Sequence, residues 1–269
     1  MTPRSLILAG AGKMGGAMLQ GWLAQGLDPK SATIVDPHPS PELVALCSEK
    51  GVALNPRTAP AAPQVLVLAI KPQTFAEAAA GLEPLAGPDT LVVSILAGKR
   101  VADLSARLPR AKAFVRAMPN TPAAVGRGVT GAVSVGASQG QRDMADALLK
   151  ATGGVVWLDD EGLIDAVTAV SGSGPAYVFY LAEAMAAAGE ALGLPKGVAA
   201  QLARATVEGA GELMFRSQDV APAQLRRNVT SPGGTTAAAL DVLMADDGLT
   251  PLMKKALTAA RDRGRELAG

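Results

Sequence analysis

The order of apolar runs and helical patterns predicts an α/β protein, with an N-terminal doubly wound, mainly parallel sheet followed by an all-α C-terminal domain. Short apolar runs alternate with helical patterns through the first part of the chain. Most of those runs are continuous rather than alternating, as expected of strands covered on both faces. The strand signal then stops after about Asp160, which divides the chain into domains at residues 1–160 and 161–269.

Ser5 to Gly10, Ala32 to Asp36, Gln64 to Ile70, Thr90 to Ile95 and Lys112 to Met118 read as strands. Between them, helical patterns lie around Met14 to Gln25, Pro41 to Lys50, Thr74 to Leu85 and Val101 to Arg107. Such alternation gives an open parallel sheet with helices on its faces. Val129 to Val135 and Val155 to Leu158, separated by the helical Gln141 to Ala151, extend the sheet at its edge. The remainder reads as helices: Leu163 through Leu192, Lys196 to Met214, a short piece near Ala223 to Arg227, Gly234 to Ala245, and Pro251 to Leu267. Ala184 to Ala188 and Ala199 to Ala210 are rich in small residues, which suits close helix packing and a subunit interface; the pattern is the same for burial within a chain and between chains.

Composition narrows the function. Hydrophobic residues make up 49% of the 269 but aromatics only 3%, so the core is built from Ala, Val, Leu, Ile and Met. With 25 basic against 24 acidic residues there is no electrostatic footprint for nucleic acid or an anionic membrane, and a small-molecule ligand is expected. One cysteine, Cys47, gives no intrachain disulfide and no Cys-rich metal site, so no metal is expected. The solitary His38 removes the usual general base and the Ser/His and Cys/His nucleophile schemes. The first strand starts at Ser5, which leaves no space for an export signal before it, and the apolar stretch Ala176 to Leu194 carries Glu183 and Glu190, against a membrane span. A cytoplasmic location is expected.

Gly10-Ala11-Gly12-Lys13-Met14-Gly15 fits G-x-G-x-x-G directly after a strand and at the opening of a helix. The first glycine permits the tight turn, the second lets backbone approach a pyrophosphate, and the third lets helix pack on strand. Asp36 ends the second strand, where an acid can bind an adenosine ribose; it favours NAD, while His38 and Lys13 leave NADP open. A glycine-rich turn beside a solvated aspartate would explain the same residues without a ligand, but strand, helix and acid together favour a Rossmann-type dinucleotide site. Three further segments leave the carboxyl ends of strands and share the rim where ligands bind: Ile70-Lys71-Pro72, Ala97-Gly98, and Asn120 between Pro119 and Pro122.

In the helical part, Ser171-Gly172-Ser173-Gly174-Pro175 interrupts a helical pattern, implying a break or a close packing contact. Ser231-Pro232-Gly233-Gly234-Thr235-Thr236 reads as a helix start, with Ser231 as N-cap and Pro232 at the first helical position. Two glycines in a first turn cost about 0.5 to 1 kcal/mol each relative to alanine, which suggests close approach of a ligand or another backbone. The unpaired first amides would suit a carboxylate.

Taken together, the fingerprint at Gly10 to Gly15, Lys71-Pro72, Arg116 to Pro122, Ala169 to Tyr177 and Ser231 to Thr236 closely resemble the pyrroline-5-carboxylate reductase family, essentially from end to end of the chain. The resemblance implies reduction of a cyclic imine to L-proline with NADPH or NADH. It implies that Gly10, Ala11, Gly12, Lys13, Met14, Gly15, Ile70, Lys71, Pro72, Ala97 and Gly98 hold the cofactor. Asn228, Ser231, Gly233, Gly234, Thr235 and Thr236 would line the imino acid site, with Thr236 near the ring nitrogen. It also implies helical domains interlocked into dimers, often joined into larger rings. Two departures stand out: Asp219 where the family often has glutamate, and Asp36-Pro37-His38 where many members carry small or basic residues. An imine can be protonated from water before hydride arrives, so the lack of catalytic histidines agrees with this reading. The alternatives are a related two-domain imine or 3-hydroxyacid dehydrogenase, for which Lys196 is poorly placed, or a noncatalytic dinucleotide sensor.

Overall fold

The structure, a computed structural model, describes residues 2–58 and 61–268. The chain falls into two compact units, one formed by residues through Gly172 together with those from Ala260 onward, the other by Ser173–Ala259.

The first unit contains β1 (Leu6–Ala9), α1 (Lys13–Ala24), β2 (Ala32–Val35), α2 (Pro41–Lys50), β3 (Ala53–Leu54), β4 (Val65–Leu68), α3 (Phe75–Leu82), β5 (Leu91–Ser94), α4 (Val101–Arg107), β6 (Ala113–Met118), β7 (Gly128–Val135), α5 (Gln139–Lys150) and β8 (Gly153–Trp157). The strands form one sheet in the order β3-β2-β1-β4-β5-β6-β7-β8. From β3 to β6 every pairing is parallel; β7 runs antiparallel to β6, and β8 parallel to β7. The chain therefore starts at the middle, winds outward through β2 and β3, returns to the other side of β1 and winds outward again. The carboxyl ends of β1 and β4 flank the point where the order reverses, the position at which such sheets bind ligands.

Strand periodicity assigns the two faces. Leu6, Leu8, Ile34, Val65, Val67, Leu91, Val93 and Val115 join one core with Met18, Leu19 and Trp22 of α1 and Met144, Leu148 and Leu149 of α5. Their neighbours Ile7, Ala9, Leu66, Leu68, Val92 and Phe114 join a second core with Phe75 and Leu82 of α3 and Val101 and Leu104 of α4. Alternate residues of one strand thus feed opposite layers, which is why the runs are continuously apolar. The indole of Trp22 donates to the Leu148 carbonyl at 2.8 Å, satisfying its polar atom inside the first core.

The predicted strands and helices of this unit are present with ends shifted by a few residues, and the predicted edge strands are β7 and β8. The two-residue strand β3 carries no pattern from which to read it. Beyond β8 the chain forms α6 (Ile164–Val167) and a π-helical turn at Thr168–Gly172. The predicted interruption at Ser171 to Pro175 is therefore real, and it serves packing as well: a Cβ on Gly172 would lie 2.7 Å from the Met118 Cε methyl. Pro175 lies in the first turn of the next helix, just after Gly174, where its missing N–H costs nothing.

The second unit consists of α7 (Gly174–Ala191), α8 (Lys196–Arg216), α9 (Pro222–Asn228), α10 (Thr235–Leu243) and the start of α11 (Leu249–Ala268). Small residues bring α7 and α8 together as expected: a Cβ on Gly189 would lie 3.2 Å from that of Ala199. Ala199 and Ala203 are the buried apolar residues of this unit, whereas Phe179, Tyr180, Leu202 and Val242 are exposed. No helix among the described residues is long and apolar enough to cross a membrane.

Candidate functional site

The three fingerprint glycines have three different physical reasons. Gly10 sits at φ +84°, and a Cβ there would lie 2.8 Å from the Ala69 oxygen and the Ile70 nitrogen, so β1 and β4 leave the sheet with their backbones in contact. A Cβ on Gly15 would collide with the Gly10 carbonyl oxygen, so α1 packs against its own strand only with glycine there. Gly12 is different. Its φ of −64° is open to any residue, and nothing within the chain lies within 4 Å of where its Cβ would be. It caps α1 with no side-chain hydrogen bond, so no cap side chain takes up the first amides of this 12-residue helix. The chain itself gives no steric reason for glycine at this position, and the open space beside the head of α1, with Lys13 exposed, fits a pyrophosphate.

The remaining fingerprint residues divide between site and core. The Ala11 amide donates to Asp36 Oδ2 at 2.7 Å, Lys13 is exposed at the first position of α1, and the Met14 side chain packs on the first core. Asp36 lies just past β2, half-buried, with the His38 amide on its Oδ1 at 2.9 Å. Past β4, Ile70 packs on the second core while Lys71 is exposed ahead of a turn opened by Pro72. Past β5, Ala97 is exposed and Gly98 adopts φ +74°. Past β6, the Asn120 side-chain oxygen accepts the Val129 amide at 2.9 Å, closing the loop onto β7. The structure thus brings Gly10 to Gly15, Asp36, Ile70 to Pro72, Ala97-Gly98 and Asn120 to one carboxyl rim.

In the helical unit the local geometry corrects one expectation. Ser231 is not the N-cap and Pro232 does not begin the helix. Ser231 to Gly234 form a turn in which the Gly234 amide donates to the Ser231 carbonyl at 3.0 Å, and α10 starts at Thr235 with Gly234 as its cap. Gly233 has φ +70°, the left-handed value that a turn with proline second and glycine third requires, so its glycine has a backbone reason. A Cβ on Gly234 would lie 3.2 Å from the Ser231 oxygen. The Ala238 amide, donating to Gly234, closes the first helical bond, which leaves the amides of Thr235, Thr236 and Ala237 ahead of it. Thr235 is exposed and Thr236 half-buried. Asn228 ends α9, its side-chain oxygen held by Gln224 at 2.7 Å, and Asp219 is exposed in the connection before α9.

Two groups escaped sequence reasoning. Asn55, a non-glycine residue at positive φ (46°), brackets the backbone of Asp36: its oxygen accepts the Asp36 amide at 2.9 Å and its nitrogen donates to the Asp36 carbonyl at 2.7 Å. An asparagine before a proline was the available signal, since asparagine tolerates that conformation. Arg116 on β6 is buried and faces Glu161 at 3.1 Å and Asp165 at 3.7 Å; Arg265 approaches the other oxygen of Asp165, also at 3.7 Å. Glu161 also takes the Val101 amide at the head of α4 at 2.8 Å. A cavity of about 410 Å³ opens among these residues, lined by balanced opposite charges.

A doubly wound sheet with a ligand-shaped glycine turn at its reversal point, followed by a helical unit, defines a two-domain dinucleotide-binding oxidoreductase. Residues 161–267 match the family described as pyrroline-5-carboxylate reductase dimerisation, and residues 5–98 the family described as NADP oxidoreductase, coenzyme F420-dependent. The chain belongs to the pyrroline-5-carboxylate reductase family, and its helical residues carry that family's self-association region. It is 42% identical to the pyrroline-5-carboxylate reductase of Pseudomonas aeruginosa over 99% of this chain and 97% of that one. The solved structure of a pyrroline-5-carboxylate reductase from Coxiella burnetii superposes with a TM-score of 0.91 at 34% identity, covering 100% of both chains. That of Plasmodium falciparum pyrroline carboxylate reductase, with NADP bound, shares the fold at a TM-score of 0.79 and 24% identity, also over 100% of both chains.

Proposed function

We propose that this chain reduces 1-pyrroline-5-carboxylate to L-proline at the expense of NADH or NADPH, the last step of proline biosynthesis, in the cytoplasm and as a dimer or a ring of dimers. Residues 1–160 carry the dinucleotide; residues 161–269 carry the imino acid and the association surface. The observation behind this reading is the turn at Ser231 to Gly234, which sets the unclosed amides of Thr235, Thr236 and Ala237 at the head of a nine-residue helix, in a chain that also holds a dinucleotide turn.

The bound nicotinamide supplies hydride. The chain's task is orientation and charge. Gly10 to Gly15 take the pyrophosphate on the amides at the head of α1, Asp36 takes the adenosine ribose, and Ile70 to Pro72, Ala97, Gly98 and Asn120 line the rim. The substrate carboxylate is held at the head of α10, where aligned amides favour an anion. Because the Gly234 amide is spent on the turn, the Thr235 and Thr236 amides take the larger part. Asn228 and Ser231 border the site, and the Thr236 hydroxyl holds the ring nitrogen. Carbon gains hydride and nitrogen gains a proton that comes from water, so no histidine is required, and holding the imine in place supplies most of the rate.

The test is an assay of purified protein with pyrroline-5-carboxylate and each nicotinamide separately, following cofactor oxidation and proline together. Proline formed in step with oxidised cofactor is the expected result; cofactor binding without oxidation would replace the reading with a dinucleotide sensor. Thr236→Ala should lower turnover at least tenfold with dinucleotide affinity unchanged, and Thr236→Ser should recover most of it. A fully active Thr236→Ala removes that hydroxyl from the mechanism.

A further inference from the structure

We propose that this chain selects NADH over NADPH, and that Asp36 makes the selection. The inference rests on the dinucleotide reading of the Gly10 to Gly15 turn and names which dinucleotide that turn takes.

Asp36 is fixed from four directions. Its Oδ2 accepts the Ala11 amide at 2.7 Å, a bond from the glycine turn itself, and its Oδ1 accepts the His38 amide at 2.9 Å. Asn55 holds the backbone from the neighbouring strand end, accepting the Asp36 amide and donating to the Asp36 carbonyl. Asn55 is in turn anchored by its own amide on the Ile34 carbonyl at 2.8 Å. The carboxylate cannot swing away without giving up the Ala11 amide of the glycine turn and the His38 amide.

A carboxylate only accepts hydrogen bonds. With one amide on each oxygen it has lone pairs left, and these suit the hydroxyl donors of an unmodified adenosine ribose at the end of the second strand. A ribose 2'-phosphate offers acceptors and negative charge to the same atoms. No donor pairs with donorless oxygen, and like charges within a few ångströms repel. A phosphate site here would need a cation placed to overcome the carboxylate. The basic groups on the segments around this edge, Lys13, Lys30, His38, Lys50 and Arg57, are all exposed side chains in high dielectric, whereas Asp36 is half-buried. The amides of Ala11 and His38 are already given to Asp36.

The experiment is calorimetric titration of the full-length protein with NADH and NADPH, and with 5'-AMP and adenosine 2',5'-bisphosphate, with no imino acid present. NADH should bind at least tenfold tighter than NADPH, and 5'-AMP tighter than the bisphosphate. Asp36→Asn keeps an acceptor for the turn while removing the charge, and Asp36→Ser removes the bulk as well. Each should raise NADPH affinity and lower that of NADH, narrowing the ratio at least tenfold; because Asn can accept only one of the two amides, some loss of thermal midpoint is expected, and an unchanged circular dichroism spectrum shows that each variant is folded. NADPH binding as tightly as NADH, or a ratio unmoved in both variants, overturns the proposal while leaving the dinucleotide site standing. Tight NADPH binding abolished by Arg57→Ala would transfer the selection to Arg57. If neither dinucleotide binds, the reading of the glycine turn falls and this proposal with it.

Discussion

The two units of this chain keep their apolar residues in opposite ways. In the first, all four residues of β1, β4 and β5 are buried, and helices on both faces complete two cores. In the second, α7 and α10 have no buried residue; Phe179 is 64% exposed, Tyr180 70% and Val242 71%. Isolated exposed apolar residues are ordinary, but a whole helical unit left this way is a surface awaiting a partner. The sheet unit finishes its core within one chain, whereas the helical unit, which matches its family's dimerisation region, leaves apolar side chains uncovered. If the turn at Ser231 to Gly234 holds the substrate, as proposed, its order should depend on assembly more than that of the glycine turn after β1.

The sharpest way to break this contrast is to charge the exposed helices. Phe179→Glu with Leu202→Glu should convert the assembly to single chains and lower the thermal midpoint of the helical unit, with imino acid affinity lost and dinucleotide binding retained. Sedimentation measures the first and calorimetric titration the last. An unchanged assembly state would mean that these two side chains do not take part in the contact. The corresponding test in the sheet unit is Arg116→Met. Arg116 is buried against Glu161 and Asp165, and its removal leaves Asp165 only the exposed Arg265 and Glu161 only the Val101 amide, a loss of about 1–3 kcal/mol, less than the full cost of breaking a buried pair because Glu161 is partly exposed. Denaturant unfolding should show that loss at every protein concentration, because the cluster lies within one chain. A loss that fades as concentration rises would tie the cluster to assembly instead.

The same contrast explains what could be read from the sequence. Strands that complete a core within the chain must be continuously apolar, and so β1, β2, β4, β5 and β6 were legible, as were the helices between them. A two-residue strand such as β3 has no period. The Ser231-Pro232 pair carries two meanings, an N-cap followed by a first helical proline or the first half of a proline-glycine turn, and only the positive φ of Gly233 separates them. Arg116 opens a motif that the sequence shows, but its burial against Glu161 and Asp165 does not read locally, because the fold brings these partners to it from far along the chain. The exposure of Phe179 and Tyr180 is equally silent, since an apolar helix face reads the same whichever chain covers it.

The smallest expected effect on folding is the most informative about the site. Gly15→Ala places a Cβ against the Gly10 carbonyl oxygen, backbone that cannot retreat without separating α1 from β1, and overpacking of that kind costs about 1–3 kcal/mol. Gly12→Ala meets nothing within 4 Å and needs no unusual backbone, so the folded protein should lose no more than about 1 kcal/mol, the size of a changed helix cap. If Gly12 is glycine only because a pyrophosphate comes against it, Gly12→Ala should weaken dinucleotide binding at least tenfold while its thermal midpoint stays near that of the parent. The pair separates the two reasons for glycine in one turn: Gly15→Ala moves stability first and binding as a consequence, whereas Gly12→Ala moves binding alone. Unaltered affinity in a stable Gly12→Ala protein would show that the open space before α1 is not where the phosphates lie.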